Sequence, residues 1–83
     1  MSGEAQPGTA EKLAHKANQI ARFFAGQPRA DAVAATSDHL ARFWEPRMRA
    51  QAFALLDAGG AGFDPVARAA LERLRLEMPP SVR

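Results

Sequence analysis

Proline and glycine cut this chain into four alanine-rich segments, and none of the segments carries the pattern of a strand. The cuts fall at Gly26 and Pro28, at Pro46, at Gly59-Gly60, at Asp64-Pro65 and at Pro79-Pro80. Proline lacks an amide proton and clashes with the turn before it, and glycine readily enters conformations that end helices. Between the cuts, β-branched residues are few and scattered (Thr9, Ile20, Val33, Thr36, Val66, Val82), while alanine, the strongest helix former, is abundant. The pattern predicts an all-α protein, a small bundle of about four short helices with flexible termini. No internal repeat of solenoid length is visible.

The first helix is expected to run from Thr9, as its N-cap, to Ala25. Leu13, Ala17, Ile20 and Phe24 recur at helical spacing and form one stripe, and Glu11 near the start complements the helix dipole. Gly26 at the position after the cap, with Pro28 beyond, should close it. Phe23 stands about 100° round the helix from Phe24, so the two rings cannot share one narrow seam. The second helix should start near Pro28–Asp31, with Val33, Thr36 or Ser37, Leu40, and Phe43 or Trp44 on its apolar side. The residue before a proline is pushed out of the α region, which ends this helix near Trp44–Glu45. Pro46 then suits the first position of a third helix, continuing through Met48, Ala52, Leu55 and Leu56 to Gly59-Gly60. Asp64-Pro65 reads as N-cap and first residue of a fourth, with Val66, Ala70, Leu71, Leu74 and Met78 apolar. Residues 1–8 are expected to be a flexible N-terminal tail, 9–78 a single helical domain, and 79–83 a C-terminal tail.

A chain of 83 residues buries only about 60% of its unfolded surface, and a core of that size supplies roughly 3–5 kcal/mol unaided. With no cysteine there is no disulfide, thiolate zinc site or iron–sulfur cluster to compensate. Such a domain often leans on a partner. The start of the chain, Met1 to Gly8, has no apolar core and carries Glu4, unlike a secretory signal. No apolar run approaches the roughly 20 residues of a membrane span. A cytoplasmic protein with no membrane partner is expected.

The candidate chemistries are thin. Zinc needs three or four convergent ligands, but His15 and His39 fall in different helices with no HxxxH or HExxH spacing. Ser2, Ser37 and Ser81 lack a nucleophile-elbow setting. The run Asp57 to Gly62 has neither the preceding strand nor the Lys-Ser/Thr of a phosphate loop. Neither a catalytic residue, a cofactor site nor a metal site is expected in this chain.

The densest stretch is Asp38-His-Leu-Ala-Arg-Phe-Trp-Glu-Pro-Arg-Met-Arg49. Aromatics between cations can stack on bases, as Phe43 and Trp44 would between Arg42, Arg47 and Arg49. Asp38 and Glu45 intervene, however, and Asp38 can pair with Arg42 one turn on. Eleven basic residues against nine acidic ones leave a net charge of only +2, so no nucleic-acid partner is expected. Aromatics, methionine and arginine are also the residues enriched at the centres of protein interfaces. Phe23, Phe24, Phe43, Trp44, Met48 and Phe53 are more large apolar surface than one layer of short helices readily hides.

Asn18-Gln-Ile-Ala-Arg-Phe-Phe24 and the Asp38–Arg49 stretch, followed by Leu56–Gly60 and Asp64-Pro65, resemble the delta subunit of bacterial NAD-dependent, molybdenum-containing formate dehydrogenase. The resemblance covers about residues 12–75. It implies a small cytoplasmic accessory subunit that binds and stabilises, or helps to assemble, the enzyme complex. The partners it implies are a large catalytic alpha subunit with molybdenum cofactor and iron–sulfur clusters, and beta and gamma subunits with FMN and further clusters. In that setting Phe23, Phe24, Phe43, Trp44 and Met48 would bury apolar area against the alpha subunit. Arg22, Arg42, Arg47 and Arg49 would make charge-assisted contacts. Asn18 and His39 would be polar anchors, and Pro46 the corner on which the stretch bends. A transient maturation factor and a free-standing helical nucleic-acid-binding module are the alternatives.

Overall fold

The computed structural model describes residues 7–77, which form four helices in chain order: α1 (Pro7–Phe23), α2 (Arg29–Phe43), α3 (Pro46–Asp57) and α4 (Pro65–Glu77). The all-α expectation holds. α2 packs most extensively on α4, and α1 lies against α2, α3 and α4. Each of the first three helices thus gives one face to a shared centre, and α4 is packed against all of them.

That centre is built from Leu13, Ala17 and Ala21 of α1, Leu40 of α2 with Trp44 just beyond it, Ala52 and Phe53 of α3, and Ala67, Leu71 and Leu74 of α4. Small residues dominate the contacts. Ala17, Ala52, Ala67 and Ala70 have no accessible surface, which lets the backbones approach closely around a few large side chains. Thr36 is also fully buried, and its hydroxyl donates to the Ala32 carbonyl one turn back at 2.7 Å, so no polar atom of that side chain is stranded.

The connections follow from local chemistry. At the end of α3 the amide of Gly60 donates to the Leu55 carbonyl at 2.8 Å and that of Gly59 to Leu56 at 3.0 Å. This is the paired pattern of a Schellman cap, which needs a left-handed residue just after the helix. Gly59 supplies it, with φ of 118°. Between α2 and α3, Trp44 and Glu45 are both extended (ψ 136° and 154°), and Pro46 opens α3 at its first position. The expected corner is therefore real. Its cause is the pre-proline restriction at Glu45.

Four local expectations change. α1 begins at Pro7, where a missing amide proton costs nothing in the first turn, so Thr9 lies inside the helix rather than capping it. Glu11 then falls beyond the first turn, which holds no acidic residue. α1 also ends at Phe23, not Ala25. Phe24, Ala25 and Gln27 donate to carbonyls three residues back, so the chain leaves by tight turns, and Gly26 is not in the left-handed region. The buried stripe of α1 is Leu13-Ala17-Ala21, with Ala14 beside it, leaving Ile20 and Phe24 half-buried at its edge. The tail assigned to residues 1–8 thus gives up Pro7 and Gly8 to α1. Its remainder, Met78 and the tail at 79–83 lie outside the described residues.

Candidate functional site: an aromatic groove between the first and second helices

Adjacent residues on a helix point about 100° apart, so α1 cannot bury both Phe23 and Phe24, nor the end of α2 both Phe43 and Trp44. The fold turns Trp44 inward, 7% exposed, and Phe43 outward, 68% exposed. Phe24 is half-buried while Phe23 is 81% exposed. Because the C-terminal halves of α1 and α2 approach each other, the outward rings meet. Phe23 lies edge-on to Phe24 with centroids 5.0 Å apart, Phe24 faces His39 at 6.4 Å, and His39 lies against Phe43 at 4.6 Å. The rings form a continuous strip of four across two helices.

Beneath the strip is a groove of about 390 Å³, lined by Lys16, Gln19, Ile20, Phe23, Phe24, His39 and Trp44. The indole of Trp44 therefore serves two structures at once, as a member of the core and as part of the groove lining. Lys16 and Gln19 also border a second hollow on α1, which Glu11, Lys12 and His15 complete.

The remaining residues singled out in the sequence are dispersed, and several are committed within the chain. Asn18 Nδ2 donates to the Gly62 carbonyl at 2.8 Å, and its Oδ1 accepts the Asp64 amide at 2.7 Å. Both ends of the carboxamide thereby tie the α3–α4 turn to α1. Arg22 reinforces the tie through an exposed ion pair with Asp64 at 3.6 Å. Arg49 Nη1 donates to the carbonyl of Trp44, and more weakly to that of Ala41 at 3.4 Å, so the guanidinium closes the end of α2. Arg42 pairs with Asp38 at 3.0 Å, as their spacing predicts. Pro46 and Arg47 are exposed beyond the corner, and Met48 is half-buried against the core.

Lys16, Gln19 and Ile20 were not singled out as site residues from the sequence. Lys16, Gln19/Ile20 and Phe23 recur at i, i+3/i+4, i+7, a second face of α1 that is visible once the core stripe is drawn through Ala21. Among the described residues, no group of three His, Cys, Asp or Glu side chains gathers in a way that could hold a metal ion, and no helix is long and apolar enough to cross a membrane.

Residues 12–71 match the family model described as the NADH-dependent formate dehydrogenase delta subunit, FdsD. The match spans well over half of the chain. This protein belongs to that family. Neither a curated relative nor a solved structure matches it. The matched region contains the whole strip from Phe23 to Phe43, the corner at Pro46, and the turn that Asn18 holds. As a member of the delta-subunit family, the chain is a component of a formate dehydrogenase complex.

Proposed function

We propose that this chain is a non-catalytic accessory subunit that docks, through its aromatic strip, on the molybdenum-containing alpha subunit of a cytoplasmic NAD-dependent formate dehydrogenase. Formate oxidation and electron transfer to NAD then belong to the alpha, beta and gamma subunits, with their molybdenum cofactor, iron–sulfur clusters and FMN. This chain binds none of these groups itself, in keeping with its lack of cysteine. Its contribution is to stabilise or help assemble the complex.

The observation that carries this reading is the exposure of Phe23 and Phe43 at the two ends of a strip of touching rings. Large apolar side chains held in water cost free energy, and covering them releases about 25 cal/mol per Å². Clustered aromatics are also the residues that dominate the energetics of protein interfaces. Arg47, exposed beyond the corner, offers a cation able to meet a partner carboxylate. Asn18 holds the α3–α4 turn through both ends of its carboxamide, and Arg49 Nη1 donates to the Trp44 carbonyl, so the docking reading rests on the rings rather than on these two side chains.

Co-purification tests the proposal. A Phe23→Ser/Phe43→Ser variant, checked for native helicity, should be lost from affinity-purified formate dehydrogenase that retains the wild-type chain. Full retention of the folded variant would remove the strip from the interface.

A further inference from the structure

We infer that the groove beneath the strip receives an amphipathic helix of the partner, and that this helix presents an aspartate or glutamate to Lys16. This rests on the docking reading above and specifies the chemistry of what docks. The groove is apolar along Ile20, Phe23, Phe24 and Trp44, and Lys16 is the only fixed charge in its lining.

No carboxylate lines the groove; Glu11, five residues before Lys16, borders only the neighbouring hollow, and neither it nor Glu45, beside Trp44, makes an ion pair with a described residue. Asp38 is held by Arg42 and Asp64 by Arg22. All the ion pairs among the described residues are made by arginines, so Lys16, in the groove lining, has no carboxylate of a described residue within 4 Å. An apolar occupant alone would bury this ammonium, or its rim, uncompensated. An occupant with an acid at the matching position turns the same charge into an attractive, orienting contact.

The occupant is a helix because the walls of the groove are themselves helices, whose ridges accept those of a third. Among the described residues there is no strand, hence no sheet edge on which an extended segment could pair.

Two measurements on the assembled complex test this. A photo-activated benzoylphenylalanine placed at Gln19, on the groove wall, should crosslink to a peptide of another subunit. That peptide should have apolar residues at i, i+3/i+4 and an acid within one turn. A crosslinked peptide without an acid, one from a second copy of this chain, or no crosslink in a complex that retains the chain would each overturn the inference. In the second measurement, Lys16→Glu is added to formate dehydrogenase expressed without this chain. Its Kd should be raised about tenfold over wild type, as loss of a charge-assisted contact implies, while Lys16→Arg should bind as wild type. Lys16 is exposed, so the substitution leaves folding intact. Unchanged affinity for Lys16→Glu would overturn the inference and leave the docking reading standing. A wild-type chain that does not associate at all would overturn both.

Discussion

Asn18 and Asp64 lie 46 residues apart, yet the side-chain oxygen of the first accepts the backbone amide of the second at 2.7 Å. The other end of the same carboxamide donates to Gly62 at 2.8 Å. One side chain thus fixes the turn that launches α4, and α4 packs against every other helix. Asn18→Ala removes both of these hydrogen bonds from the turn. It is expected to lower the unfolding free energy by about 1–2 kcal/mol, measured by urea denaturation followed by circular dichroism.

The two glycine-marked helix ends should respond in opposite ways. Gly59 has φ of 118°, a conformation that L side chains rarely adopt. Gly59→Ala is expected to cost about 1–3 kcal/mol in strain. Gly26 is not in the left-handed region, and a Cβ there would meet nothing within 4 Å. Gly26→Ala should be neutral, or stabilise by about 0.4–1 kcal/mol through the unfolded chain. Paired thermal melts decide this.

Phe43 and Trp44 are neighbours in sequence but belong to different parts of the molecule. Trp44→Ala removes a buried ring and is expected to destabilise the fold by about 3–5 kcal/mol, enough to unfold much of so small a domain. Phe43→Ala removes an exposed ring and should change the stability of the free chain by no more than about 0.5 kcal/mol. A loss of complex formation with Trp44→Ala would therefore report unfolding. Phe43 is the residue whose loss reports docking.

Arg47 and Arg49 separate in the same way. The guanidinium of Arg49 closes the end of α2 on the carbonyls of Trp44 and Ala41, whereas Arg47 is exposed. Arg49→Ala is expected to cost about 1–2 kcal/mol, and Arg47→Ala to stay within about 0.5 kcal/mol, in the same denaturation assay.

Helix existence and the corner at Pro46 were legible in the sequence because they rest on local rules: alanine content, proline geometry and glycine at the end of α3. The partition of neighbouring aromatics was not. Whether Phe43 or Trp44 turns inward depends on where α4 and α3 lie, which no single-helix pattern encodes. The same holds for Ile20, placed in the core stripe by its spacing, but displaced to the groove once Ala21 takes the tighter contact. Asn18 and Arg49 have the composition of interface anchors, and their internal partners are backbone groups of distant or differently oriented segments. Backbone carbonyls and amides leave no mark in a sequence. The family resemblance, carried by the two blocks around Phe24 and Trp44, reached the correct family because it used the order of residues rather than their packing.

The most direct test of the docking claim is the native mass of active formate dehydrogenase purified with this chain and with its Phe23→Ser/Phe43→Ser variant. The wild-type complex should contain the 8.9 kDa chain at a fixed stoichiometry, and the variant complex should lack it. Active enzyme without the wild-type chain, as a maturation factor that departs would leave, or a variant retained at full stoichiometry, would contradict it.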